Sequence, residues 1–80
     1  MAQVTLLYFA SLRDAAGRDR EVLASDAADL QALYEACRLR HGFALATARL
    51  RVAVDGEFAH WHDALVDGSE VAFIPPVSGG

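Results

Sequence analysis

The chain has no lysine: its seven basic residues are all arginine, and they are scattered rather than clustered. With eleven acidic residues against them the formal net charge is −4, which argues against nucleic acid or an anionic membrane as the partner, since both need concentrated positive charge. On the chain's overall balance, a basic partner surface fits better. Without an ε-amine in its side chains, the chain can donate an acyl group to a lysine elsewhere but cannot accept one on a lysine of its own. A single cysteine, Cys37, rules out an internal disulfide, and neither a signal peptide nor a long apolar run is present, so the cytoplasm is the expected compartment. Only two prolines occur, and they are adjacent. Eighty residues allow one domain with a small core, and much of the 54% apolar content is alanine, so the core must come from Leu, Val, Ile and the aromatics.

Periodicity assigns the elements. Gln3 to Ala10 alternates as a strand, with Val4, Leu6 and Tyr8 on one side and Leu7 and Phe9 on the other. Ser11 to Ala16 suits a short helical turn closed by Gly17, and Arg20 to Ala24 a returning strand. Asp29 is a helix N-cap candidate; Leu30, Leu33, Tyr34, Cys37 and His41 then follow at helical spacing until Gly42 stops the run. A third strand is expected over 49–54, and Asp55-Gly56 is a strong hairpin signal before a fourth strand from Glu57. After a turn at Asp67-Gly68, Glu70 to Ile74 forms the last strand. The order β-β-α-β-β-β matches an α+β, β-grasp (ubiquitin-like) fold: a mixed sheet of about five strands with one main helix. The expected organisation is a domain over 1–74 and an extended tail over 75–80.

That tail, Pro75-Pro76-Val77-Ser78-Gly79-Gly80, carries the chemical signal. A carboxylate on glycine has no side chain beside it, and a diglycine can thread a narrow cleft. The prolines fix φ and cannot continue a paired ladder, so they aim the tail away from the sheet. Six extended residues reach roughly 20 Å, far enough to enter a partner's active site. The ionised α-carboxyl is a poor electrophile, so an ATP-dependent enzyme must activate it.

Strand parity places Leu7, Phe9, Phe58 and Ile74 together on the face away from the helix, an apolar patch read as a docking surface unless loops cover it. Cys37 lies on the apolar stripe of the helix and reads as a buried small hydrophobe. His60, His62 and Asp63 can be drawn as a metal site but lack a third convincing ligand and a known spacing, so no metal is expected. Asp26 and Asp29 read as helix-start residues, and no glycine-rich phosphate loop exists.

Strand one ending Tyr8-Phe9-Ala10, then Arg13 and Gly17, and Leu65-x-Asp67-Gly68-x-Glu70-Val71 leading to Phe73-Ile74-Pro75-Pro76-Val77-Ser78-Gly79-Gly80, resemble the small, sulfur-carrier subunits of molybdopterin synthases over nearly the whole chain. Ser69 departs from that pattern, where an acidic residue is common. The resemblance implies that Gly80 is adenylated by an ATP-dependent activating enzyme and converted to a thiocarboxylate by a persulfide sulfur donor. It implies that Pro75, Pro76, Val77, Ser78 and Gly79 insert into the large synthase subunit, where sulfur passes to a pterin precursor. Leu7, Phe9, Arg13, Phe58 and Ile74 would form the docking face. No catalytic residue, cofactor, nucleic acid or membrane is implied, and the expected assembly is a hetero-oligomer. A thiazole-pathway sulfur carrier, a ubiquitin-like modifier conjugated to target lysines and a plain binding module with an inert tail are the competing readings.

Overall fold

The computed structural model describes residues 1–76. Five strands, β1 (Ala2–Tyr8), β2 (Arg20–Ser25), β3 (Arg51–Val54), β4 (Glu57–Ala59) and β5 (Glu70–Ile74), form one sheet in the order β2-β1-β5-β3-β4. First and last strands lie side by side at its centre and run parallel, while the other pairs are antiparallel. Helix α2 (Leu30–His41) covers one face, and the short helix α1 (Ala10–Ala16) fills the β1–β2 connection. This is the β-grasp architecture.

Each element ends where its local chemistry ends it. Gly17 and Gly42 close the two helices at positive φ, a region where an L side chain is strained. Asp55 and Gly56 both take positive φ, as the type I′ hairpin turn requires. The third strand starts later than its alternation suggests: Thr47–Arg49 winds into a 3₁₀ turn and Leu50 caps it, so pairing begins at Arg51.

The N-terminus of α2 is fully satisfied. The Asp29 side chain accepts from the Ala32 N–H at 2.8 Å, and the carbonyls of Asp63 and Trp61 accept from Leu30 and Gln31 at 3.0 and 2.9 Å. The β4–β5 loop is thereby fastened to the helix. Ser69 is buried, and its hydroxyl donates to the Val66 carbonyl at 2.6 Å, so the residue that departs from the family pattern closes the turn leading into β5.

The core is the inward face of the sheet against α2. Val4, Leu6, Tyr8, Val52, Val71 and Phe73 meet Leu30, Leu33, Tyr34 and Cys37, all nearly inaccessible to water. Trp61 stacks on Phe73 with ring planes 15° apart, and Tyr34 meets Phe73 edge-on at 5.0 Å. Those contacts hold the C-terminal half of β5 from beneath.

Candidate functional site

Because successive side chains alternate, burying Val71 and Phe73 sends Glu70, Ala72 and Ile74 to the opposite face. Register then builds a row across the sheet. Leu7 lies beside Ala72, Ala72 beside Ala53, and Ala53 beside Phe58. Two alanines flanked by Leu7 and Phe58 make a trough with a low floor and apolar walls. Phe9 and Ile74 complete it, and the depression of about 250 Å³ is lined by Leu7, Phe9, Ala53, Phe58, Ala72 and Ile74 together with Gly56 and Glu70. Phe58 is 70% exposed and Phe9 45%, so no loop covers the trough. An ion pair between Arg20 and Glu70, 3.2 Å, crosses the sheet on the β2 side.

The structure therefore brings Leu7, Phe9, Phe58 and Ile74 together. Arg13 is placed on the exposed surface of α1, and its side chain does not line the trough. Pro75 and Pro76 continue directly from Ile74 as coil at the trough's edge, so the root of the tail and the apolar face are neighbours. Val77, Ser78, Gly79 and Gly80 lie outside the described residues.

The other chemical candidates are placed in structural roles. Cys37 is buried, and burial pushes its thiol up to about 11, which keeps it protonated and non-nucleophilic near neutrality. His60 and His62 are exposed; the His60 backbone N–H donates to Asp63 in a turn rather than an extended segment, and His62 lies 3.9 Å from Asp29. Among the described residues no group of three His, Cys, Asp or Glu side chains could hold a metal ion.

Sequence reasoning missed a buried polar cluster at the far end of β1. Glu21, on the inward face of β2, accepts from the Tyr8 hydroxyl at 2.7 Å and meets His41 Nε2 at 3.0 Å, with Arg40 at 3.4 Å and Arg18 at 3.8 Å. Burial alone would raise its carboxyl pKa, but the Tyr8 and His41 hydrogen bonds and the Arg40 charge outweigh it and hold the group below the ordinary carboxylate range. The signal was available: Glu21 shares the inward parity of Leu23, and His41 ends the apolar stripe of the helix.

The fold is the ubiquitin-like β-grasp, with an open apolar trough on the face away from α2 and Pro75-Pro76 beside it. The sequence profile of the ThiS family matches residues 6–80. The chain belongs to the ThiS family. It is 36% identical to the molybdopterin synthase sulfur carrier subunit of Escherichia coli, with 96% of this chain and 99% of the relative covered. The Haemophilus influenzae protein of the same name is 32% identical at the same coverage. In three dimensions it is similar to SAMP1, small archaeal modifier protein 1, from Haloferax volcanii, with a TM-score of 0.81, 27% identity and coverage of 99% of this chain and 100% of that one.

Proposed function

We propose that this chain is the sulfur-carrier protein of molybdopterin biosynthesis, a subunit that carries the reacting group and leaves the catalytic residues to its partners. The observation that carries this reading is the placement of the tail root: it leaves a central strand at the rim of an exposed apolar trough, in a chain 36% identical to a molybdopterin synthase sulfur carrier subunit along its length. Residues 1–74 act as the presenting domain and 75–80 as the presented tail.

Gly80 is the residue modified. An activating enzyme transfers AMP from ATP to its carboxylate and releases pyrophosphate, which supplies the leaving group the carboxylate lacks. The terminal sulfur of a persulfide attacks the acyl carbon, AMP departs, and a thiol reduces the resulting acyl disulfide to the thiocarboxylate. Leu7, Phe9, Phe58 and Ile74 dock against the large subunit, Arg13 meets the same partner from the exposed surface of α1, and Pro75 to Gly79 enter the partner's active site. The thiocarboxylate sulfur then bonds to the pterin precursor, and water hydrolyses the acyl–sulfur bond, which leaves the sulfur on the pterin and returns Gly80 as a carboxylate. The cycle belongs in the cytoplasm.

Intact mass after incubation with the activating enzyme, ATP and a sulfur source is expected to rise by the difference between a sulfur and an oxygen atom; an unchanged mass would sink the reading. Deleting Gly80 should abolish the gain and leave the fold intact. The likeness to a small archaeal modifier protein favours a second reading, conjugation to target lysines. Covalent adducts captured from cell lysate through a tagged chain would establish it.

A further inference from the structure

Four of the seven arginines are spent on internal carboxylates: Arg18 and Arg40 on Glu21, Arg20 on Glu70 and Arg38 on Glu35. Among the described residues Arg13, Arg49 and Arg51 have no such partner. Two of these three flank the tail root. A depression of about 430 Å³ is lined by Arg49, Arg51, Phe58, Ile74, Pro75 and Pro76, with Ala48 and Leu50, and contains no acidic residue. On a chain of net charge −4, this is a local positive site. The Arg51 guanidinium lies 5.5 Å from the centre of the Phe58 ring. That contact uses the face of the ring and no acceptor atom, so among the described residues the Arg51 guanidinium N–H groups keep no carboxylate partner.

Phe58 and Ile74 line both this groove and the apolar trough, so the two surfaces are continuous. We infer that the Arg49 and Arg51 groove receives an acidic segment of the large synthase subunit, which grips the root of the tail while the trough takes apolar side chains. The inference rests on the carrier reading above. It also reverses what net charge alone suggests: the overall acidity favours a basic partner, whereas the surface at the tail root selects carboxylates, whose two oxygens match a guanidinium edge. The groove is a positioning surface. Gly80 follows Ile74 by six residues, and a tail extended over about 20 Å into a partner would carry the reacting carbon away from these arginines.

The test uses the full chain and the large subunit from the same genome. Both arginines are exposed, so R49Q/R51Q should fold, which far-UV circular dichroism would verify. Neutralising both is expected to weaken binding to the large subunit roughly three- to tenfold at low salt, and R49E/R51E to weaken it further. The dependence of affinity on salt should flatten in the neutral variant, because the screened pairs are gone. Thiocarboxylate formation by the activating enzyme should match wild type. Unchanged affinity and salt dependence would overturn the inference, and so would tighter binding on neutralisation. A variant that binds the large subunit normally but is activated poorly would place the acidic segment on the activating enzyme and overturn the assignment. Failure of the wild-type chain to gain the thiocarboxylate mass would instead sink the carrier reading.

Discussion

Replacing Glu21 with leucine should remove a large share of the protein's stability while leaving the docking face untouched. The Tyr8 side chain it accepts from is 1% exposed, so its hydroxyl would be left in the core without an acceptor, a loss of about 1–3 kcal/mol. The His41 contact at 3.0 Å adds to this, whereas Arg18 and Arg40 are more than half exposed and contribute at most ~0.5 kcal/mol each. A total near 3 kcal/mol compares with roughly 4–12 kcal/mol for a domain of this length. At about 4–8 °C per kcal/mol, Tm should fall by about 12–24 °C. Urea titration followed by Trp61 fluorescence is the assay, since that ring is partly buried against Phe73 and reports loss of the core. The double variant Tyr8→Phe with Glu21→Leu should be more stable than Glu21→Leu alone, because both ends of the buried hydrogen bond are then removed. Acid supplies a second check. A carboxyl held below its ordinary pKa stabilises the fold above the unfolded value and loses that contribution as pH falls through the folded one, so the gap between wild type and variant should close in acid. A Glu21→Leu protein within about 0.5 kcal/mol of wild type, or a double variant less stable than the single, would refute the reasoning.

Alkali should act first through Cys37, before the Tyr8 and Tyr34 hydroxyls, which burial also pushes up, add to the loss above about pH 10. Its thiol pKa is raised by burial from the ordinary value near 9 to about 11, so the stabilising preference for the protonated form is intact below 9 and is lost across that interval, by roughly 3 kcal/mol. Unfolding midpoints measured from pH 8 to 11 should fall less steeply for Cys37→Ala, and an identical pH profile would exclude the thiol as the cause. Asp29→Ala should cost about 1 kcal/mol in urea unfolding, because the Ala32 N–H loses its cap. Phe58→Ser should leave stability within about 0.5 kcal/mol of wild type, since the ring is largely exposed, yet weaken binding to the large subunit at least about tenfold by calorimetry.

Much of the fold was legible because local signals agreed with one another. Asp29 and Gly42 bracket a helix whose apolar spacing already required those ends, and Asp55-Gly56 can be read as a turn without knowing what it joins. The trough was legible for the same reason, since burying Val4, Leu6, Tyr8 and Phe73 leaves Leu7, Phe9 and Ile74 no other side. What stayed hidden depends on contacts distant in sequence. Trp61, between two histidines, looks like part of a surface ligand set; only the fold shows its ring over Phe73 and its carbonyl on the helix N-terminus. Glu21 looks like a solvated strand residue until Tyr8, from β1, and His41, from the last turn of α2, converge on it.

The same limit applies to charge, with consequences for how a partner would be sought. Net charge sums over the whole surface, but binding reads only the patch that is touched, and here the acidic residues do not border the groove at the tail root. Arg51 contributes nothing unusual as an isolated residue. It becomes selective because β4 turns back at Asp55-Gly56 and sets Phe58 beside it, and because β5 delivers Ile74 opposite it in register. A hairpin turn and a strand register thus decide the sign of the surface next to the tail. A partner that docks on the trough and takes in the tail meets that surface through Phe58 and Ile74, which the trough and the groove share, so the partner's charge at the mouth of its cleft, and not its overall balance, is the property that should track affinity.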